Sequence, residues 1–306
     1  MARAQYIETP CKTALNRVRG MPFNWSLNPY RGCTHACHYC YARATHAYAG
    51  MNADEDFETK IVVKTNLPEV LRRELARPSW VRERVALGTA TDAYQPCEGR
   101  YRLTRRALEA LLERRNPVGV VTKSTLILRD LDLLAALAAV ASVSVYVTVT
   151  TLDPALWRLV EPGTPPPLQR LAIVRRLNEA GVPTGVLAAP VLPAITDGAA
   201  ALDALAAAAA AHGARSFGVS PLRLAPLVKE HYLRVVAAAF PDLLPRYERA
   251  FPGVNAPRAY QEALERRVAR VRARHGLAAR DPRPAFTAIA PSPVSPGNHG
   301  QLALGL

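Results

Sequence analysis

Between residues 23 and 220, short apolar segments alternate with helical stretches, and that alternation restricts the fold more than any other feature of this chain. Residues 23–30, 59–64, 84–89, 118–123, 143–150, 183–189 and 216–220 read as strands. Residues 68–75, 103–114, 128–140, 168–180 and 199–212 read as helices, with Gly181 and Gly213 stopping the last two. Strands joined by helices of this length call for parallel pairing through right-handed crossovers. The expected fold is therefore α/β, a partial (β/α)6 TIM-type barrel with its chemistry at the strand C-termini. Leu131 to Val149 approaches the length of a membrane span with only Asp132 charged, but its first half has helical spacing and its second alternates with β-branched residues. A helix passing into a strand explains that change of period, and no membrane segment is expected.

Around this barrel the chain divides into a short extension over residues 1–20, the barrel over 21–221, a helical extension over 222–276 and a flexible Pro-rich tail over 277–306. In the helical extension, Arg266, Arg267, Arg270, Arg272 and Arg274 crowd one helix. Lys and Arg total 39 against 25 Asp and Glu, a formal charge of +14, which favours nucleic acid as a partner. Met1 to Lys12 lacks the apolar core of a signal peptide, and the five cysteines are odd in number, so a cytoplasmic location is expected.

Three of those cysteines, Cys33, Cys37 and Cys40, lie within eight residues at the end of the first strand. The spacing C-x3-C-x2-C supplies three thiolates to the irons of a [4Fe–4S] cubane and leaves the fourth iron open, where S-adenosylmethionine can coordinate. The competing assignment is structural zinc on the same cysteines with His35, His38 or His46 as fourth ligand, in a nucleic-acid-binding protein without catalysis. A closed zinc knuckle usually staples a small domain, whereas this loop opens a large barrel, so iron–sulfur is the preferred reading.

The motif resembles that of the radical S-adenosylmethionine superfamily, and its Cys-His-Tyr-Cys-Tyr portion is similar to the spore photoproduct lyase-related, DNA repair photolyase-like branch. The likeness extends over most of residues 13–225, through 21–33, 56–64, 88–96, 120–124, 161–164 and 181–193. It implies a lyase-like enzyme that cleaves S-adenosylmethionine reductively to a 5′-deoxyadenosyl radical and acts on nucleic acid, DNA repair being its specific form. It implies Tyr39 beside the adenine, with Thr91, Lys123 and Thr148 lining the S-adenosylmethionine site. It also gives Tyr41 a part in relaying the radical. Where the lyase carries a hydrogen-donating cysteine, this strand end has Thr89, whose O–H bond is too strong to replace it. Cys97, eight residues further on, is the candidate donor from a shifted position. A peptide or small-metabolite substrate is the alternative within the same chemistry.

Two further partners are expected. The family's chemistry calls for a reductant such as flavodoxin or ferredoxin. Residues 301–306, Gln-Leu-Ala-Leu-Gly-Leu, are similar to peptides that dock repair proteins on the bacterial sliding clamp.

Overall fold

The computed structural model describes residues 4–21 and 23–280, and in it the alternation forms one large mixed sheet and a small one. The strands are β1 (Gln5–Thr9), β2 (Leu15–Arg17), β3 (Trp25–Leu27), β4 (Tyr30–Arg31) and β5 (Lys60–Lys64). They continue as β6 (Val85–Leu87), β7 (Val118–Thr122), β8 (Val143–Thr148), β9 (Thr184–Val191) and β10 (Phe217–Pro221). The large sheet has the order β10-β9-β8-β7-β6-β3-β2. Every neighbouring pair from β3 to β10 is parallel, and only β2 runs antiparallel to β3. Six parallel strands with helical crossovers make the expected partial barrel.

The crossover helices explain why the strands are apolar. Helix Leu103–Glu113 buries Ala107, Leu108 and Leu111, spaced to share one face, against the sheet. Val118, Val120, Val145, Val147 and Val186 meet that layer in the main core. Leu108 is fully buried there, so its truncation to Ala would cost about 2–5 kcal/mol. Residues 131–149 do divide, into helix Leu131–Val140 and strand β8.

One strand lies elsewhere than the alternation suggests. Residues 60–64 leave the barrel and pair with β1 in parallel and β4 antiparallel, as the centre of the small sheet. Their pattern carries the reason: Ile61 and Val63 are buried while Lys60, Val62 and Lys64 are not, a strand with one wet face. The expected strand at 23–30 is likewise split, β3 serving the barrel and β4 the small sheet. The N-terminal segment supplies β1 and β2, so it contributes a strand to each sheet.

After β10, helices Pro226–Ala239, Leu244–Ala250 and Arg258–Arg274 form the C-terminal extension. The first two share an apolar cluster with Cys37, Tyr39, Leu192 and Leu224. The last inserts Leu264, Val268 and Val271 into the main core. On it, Arg272 pairs with Glu265 and Arg274 with Asp203, both at 2.9 Å. Arg266 and Arg270 make no ion pair among the described residues. Residues 281–306, with the clamp-like peptide, lie outside the described residues.

Candidate active site

The cysteine loop starts where β4 ends, at Gly32. This glycine has φ +82°, and an added Cβ would stand 2.8 Å from His46 Cε1 and 3.0 Å from the Lys60 carbonyl, so only glycine lets the chain turn here. Within the loop, the Ala36 amide donates to the Cys33 carbonyl and the Cys40 amide to the Cys37 carbonyl, each at 3.2 Å. The guanidinium of fully buried Arg43 closes the turn by donating to the carbonyls of Cys37 and Ala36, both at 3.0 Å. Cys33 and Cys37 are buried, Cys40 is half-buried, and none of the three is in a disulfide.

Segments from two other strand ends grip this loop. After β6, the Thr91 hydroxyl donates to the Gly32 carbonyl at 2.6 Å, and Gln95 Nε2 donates to the same oxygen at 2.9 Å. Gln95 Oε1 accepts from the Thr34 amide at 3.1 Å. Asp92 receives the Lys123 amide at 2.8 Å and the Thr122 hydroxyl at 2.7 Å, and its Oδ2 lies 3.3 Å from His35 Nδ1. Burial alone would raise the Asp92 pKa, but His35 and these donors hold it down at about 2.

The second grip follows β8. The His38 amide donates to the Val160 carbonyl and the Gly163 amide to the His35 carbonyl, both at 3.1 Å. The approach at Gly163 is so close that a Cβ would fall 2.2 Å from the Thr34 carbonyl oxygen. Beside it, Tyr39 donates its hydroxyl to Glu161, which also accepts from the Thr150 hydroxyl at 2.8 Å and pairs with Arg170. Glu161 and Arg170 are both fully buried. Desolvation pushes the Glu161 pKa up, yet Arg170 and Lys123 outweigh it and hold the carboxyl at about 2.

Lys123 follows β7 and carries its ammonium 5.7 Å from the centre of the Tyr39 ring. Burial lowers its pKa, but the neighbouring Cys37 and Glu161 more than reverse this, so it stays protonated. The same burial pushes Cys37 up to about 12, with Lys123 pulling the other way. Cys33 is raised by burial first, then by Asp92, Cys37 and Cys40, so the three thiols lie within electrostatic reach of one another.

Tyr39, Thr91, Lys123 and Thr148 thus come together with the cysteines at the C-terminal ends of the strands. Thr148 is buried, and its carbonyl accepts from Arg170 at 3.0 Å. Exposed Tyr41 donates its hydroxyl to the Thr89 carbonyl. Cys97 is not in this group: its thiol is buried with Tyr30, Ile61, Val63 and Leu103 under the small sheet. The three histidines considered as zinc ligands are also committed elsewhere, His35 to Asp92, His38 to His231 and His46 to the Lys60 carbonyl. Asp92, Gln95, Thr150 and Arg170 carry no assigned role in the sequence reading. Asp92 and Gln95 sit inside the 88–96 segment and Glu161 inside 161–164, so the segments were visible and their contacts were not.

Three thiols with no fourth protein ligand among the described residues, facing a fixed cation, suit an iron–sulfur cluster with one open iron. Thr34 Oγ1, buried in the loop with no hydrogen-bond partner among the described residues, is a polar atom left over for an occupant. Comparison with known proteins agrees in kind. The description of the radical SAM superfamily matches residues 27–205. A protein of Mycobacterium tuberculosis is 46% identical over 282 residues, spanning 91% of this chain and 83% of that one. A protein of Methanocaldococcus jannaschii is 27% identical over 196 residues, 64% of this chain and 71% of its own. Among solved structures, spore photoproduct lyase complexed with dinucleoside spore photoproduct superposes with a TM-score of 0.67 at 17% identity, covering 88% of this chain and 79% of that chain. A mutant of the lyase with bound AdoMet and the same dinucleoside gives 0.66 at 18%, with the same coverage.

Proposed function

The chain belongs to the radical S-adenosylmethionine superfamily, and we propose that Cys33, Cys37 and Cys40 hold a [4Fe–4S] cluster for a lyase-like reaction on nucleic acid. Members of this family use such a cluster with S-adenosylmethionine, which together supply reductive sulfonium cleavage and hydrogen abstraction from a substrate.

The observation that carries the reading is the cysteine loop, gripped from two strand ends with its thiols unclaimed by any histidine among the described residues. In this arrangement Lys123 offsets thiolate charge at Cys37. The Glu161–Arg170 pair fixes Tyr39, which together with Thr91 and Thr148 shapes the S-adenosylmethionine pocket. Tyr41, exposed at the mouth, is placed for radical relay. A donor role for Cys97 requires its thiol to leave the cluster under the small sheet. Nucleic acid as substrate rests on the +14 charge, on Arg266 and Arg270 without ion-pair partners among the described residues, and on a fold shared with a lyase solved around a dinucleoside photoproduct. Thr89 in place of the lyase cysteine directs the search to lesions other than that photoproduct. A low-potential reductant and, through residues 301–306, the sliding clamp complete the proposed partners.

The test is anaerobic reconstitution with iron and sulfide, then dithionite reduction with S-adenosylmethionine and detection of 5′-deoxyadenosine by mass spectrometry. Product that disappears in Cys37→Ala supports the chemistry. A colourless zinc protein giving none overturns it. Affinity for DNA that falls steeply with salt supports the substrate class, and salt-independent or absent binding removes it.

A further inference from the structure

The side of the cysteine loop turned toward the C-terminal extension carries a second set of donors. His38, between Cys37 and Cys40, places Nδ1 2.9 Å from Nε2 of His231 on helix Pro226–Ala239. A carboxylate oxygen of Glu58, from the short helix Glu55–Thr59, joins them, and the three donor atoms lie within 4.8 Å of one another. We propose that His38, His231 and Glu58 form a site for a borderline divalent cation such as zinc, distinct from the cysteines, which pins the C-terminal extension to the loop.

Three features argue for it. First, Asp54 Oδ1 lies 2.6 Å from His231 Nδ1. A carboxylate can only accept there, so Nδ1 carries the proton and Nε2 presents its lone pair toward His38. A histidine whose far nitrogen is fixed by a carboxylate is the usual outer-shell arrangement of a metal-binding imidazole. Binding then needs only a tautomer change, with the His38 proton moving from Nδ1 to Nε2.

Second, the adjustment in distance is small. Two nitrogens on one tetrahedral zinc stand about 3.3 Å apart for Zn–N bonds of about 2.05 Å. The observed 2.9 Å must therefore open by only a few tenths of an ångström. Third, two of the donors, His38 and His231, border an open cavity of about 580 Å³ lined also by Asp54, Leu159 and Arg234, which gives an ion and its remaining water access from that side. Asp54 pairs with Arg234 and Glu58 with Arg43, so the two arginines are balanced before any cation arrives. Two imidazoles and a carboxylate suit zinc better than calcium or magnesium.

The experiment equilibrates the full chain, cluster already reconstituted so that its cysteines are occupied, with buffered zinc, and measures iron and zinc by mass spectrometry after desalting. One zinc per chain in addition to the iron is expected. His231→Asn and Glu58→Gln should each lose the zinc and keep the iron, and Asp54→Asn should weaken zinc binding about 10–100-fold. A chain with all three cluster cysteines changed to Ala should still take up cobalt(II), without thiolate-to-metal charge-transfer absorption. Circular dichroism establishes that each variant is folded, and Glu58→Gln serves if His231→Asn is not. A cluster-loaded chain that retains no zinc, or folded variants that retain it undiminished, would overturn the proposal.

Discussion

Glu161→Gln probes what holds Tyr39 in place. The native carboxylate is fully buried, with Arg170 on one oxygen and Tyr39 and Thr150 on the other. The amide retains the shape and removes the charge, leaving the Arg170 guanidinium buried without a counter-ion. It still donates to the Pro165 carbonyl at 2.8 Å, the Thr164 hydroxyl at 2.9 Å and the Thr148 carbonyl at 3.0 Å. Removing one member of a buried pair costs about 3–5 kcal/mol. The displacement of the Glu161 pKa from 4.5 to about 2 gives a second route to the magnitude, roughly 3 kcal/mol at 1.36 kcal/mol per unit. The two are of the same order, and for a chain of 306 residues they correspond to a fall in Tm of about 5–8 °C.

The pH dependence follows from the same shift. A carboxyl whose pKa is depressed on folding stabilises the fold above its unfolded pKa and loses that contribution as pH falls toward its folded one. The difference between native and Glu161→Gln chains should therefore be constant above about pH 5, and about 2 kcal/mol of it should be gone by pH 3. Urea unfolding of both chains at several pH values measures it. A loss below 1 kcal/mol at pH 7, or a difference unchanged down to pH 3, would refute the argument that this pair holds the loop.

Gly163→Ala must push its Cβ off the Thr34 carbonyl oxygen, 2.2 Å away, so the loop should shift and reconstituted iron per chain should fall by at least half while the far-UV spectrum is retained. Lys123→Met removes the ammonium beside Cys37 and Tyr39, and deoxyadenosine formation should fall by at least tenfold with iron content preserved. Cys97→Ala empties a small space in the apolar cluster under the small sheet, and should cost about 1–2 kcal/mol in urea unfolding with deoxyadenosine yield unchanged. Asp92→Asn gives up a carboxylate held at about pKa 2, so its destabilisation should likewise lessen as the pH is lowered from 5 toward 3.

Much of this molecule was legible because its signals are local. Alternation between period 2 and period 3.6 exposed the barrel, and resolved residues 131–149 into helix and strand. Spacing within eight residues exposed the cysteine triad. What stayed hidden depends on partners far apart in the chain. Tyr39 and Glu161 are 122 residues apart, and His38 and His231 are 193 apart, so no periodicity links them. The small sheet escaped for a related reason. Residues 60–64 have the composition of a barrel strand, and only the wetness of one face tells otherwise. Cys97 shows the converse error of proximity in sequence. It lies five residues after Asp92 in the chain, yet Asp92 reaches the loop at His35 while the thiol turns under the small sheet.

These long-range contacts have a common logic. A tight loop carrying three cysteines exposes few side chains able to satisfy its own backbone, and its amides and carbonyls are buried. Other segments must do so: Thr91 and Gln95 for the Gly32 carbonyl, Gln95 for the Thr34 amide, residues 160–163 for His38 and His35, and Arg43 for Ala36 and Cys37. The segments at 88–96 and 161–164 therefore both hold this loop. The loop is held by the turns that follow β6 and β8, so its geometry is a property of the folded barrel and not of the cysteine motif alone. An excised peptide bearing the three cysteines would keep the thiols and lose every one of those donors and acceptors except Arg43.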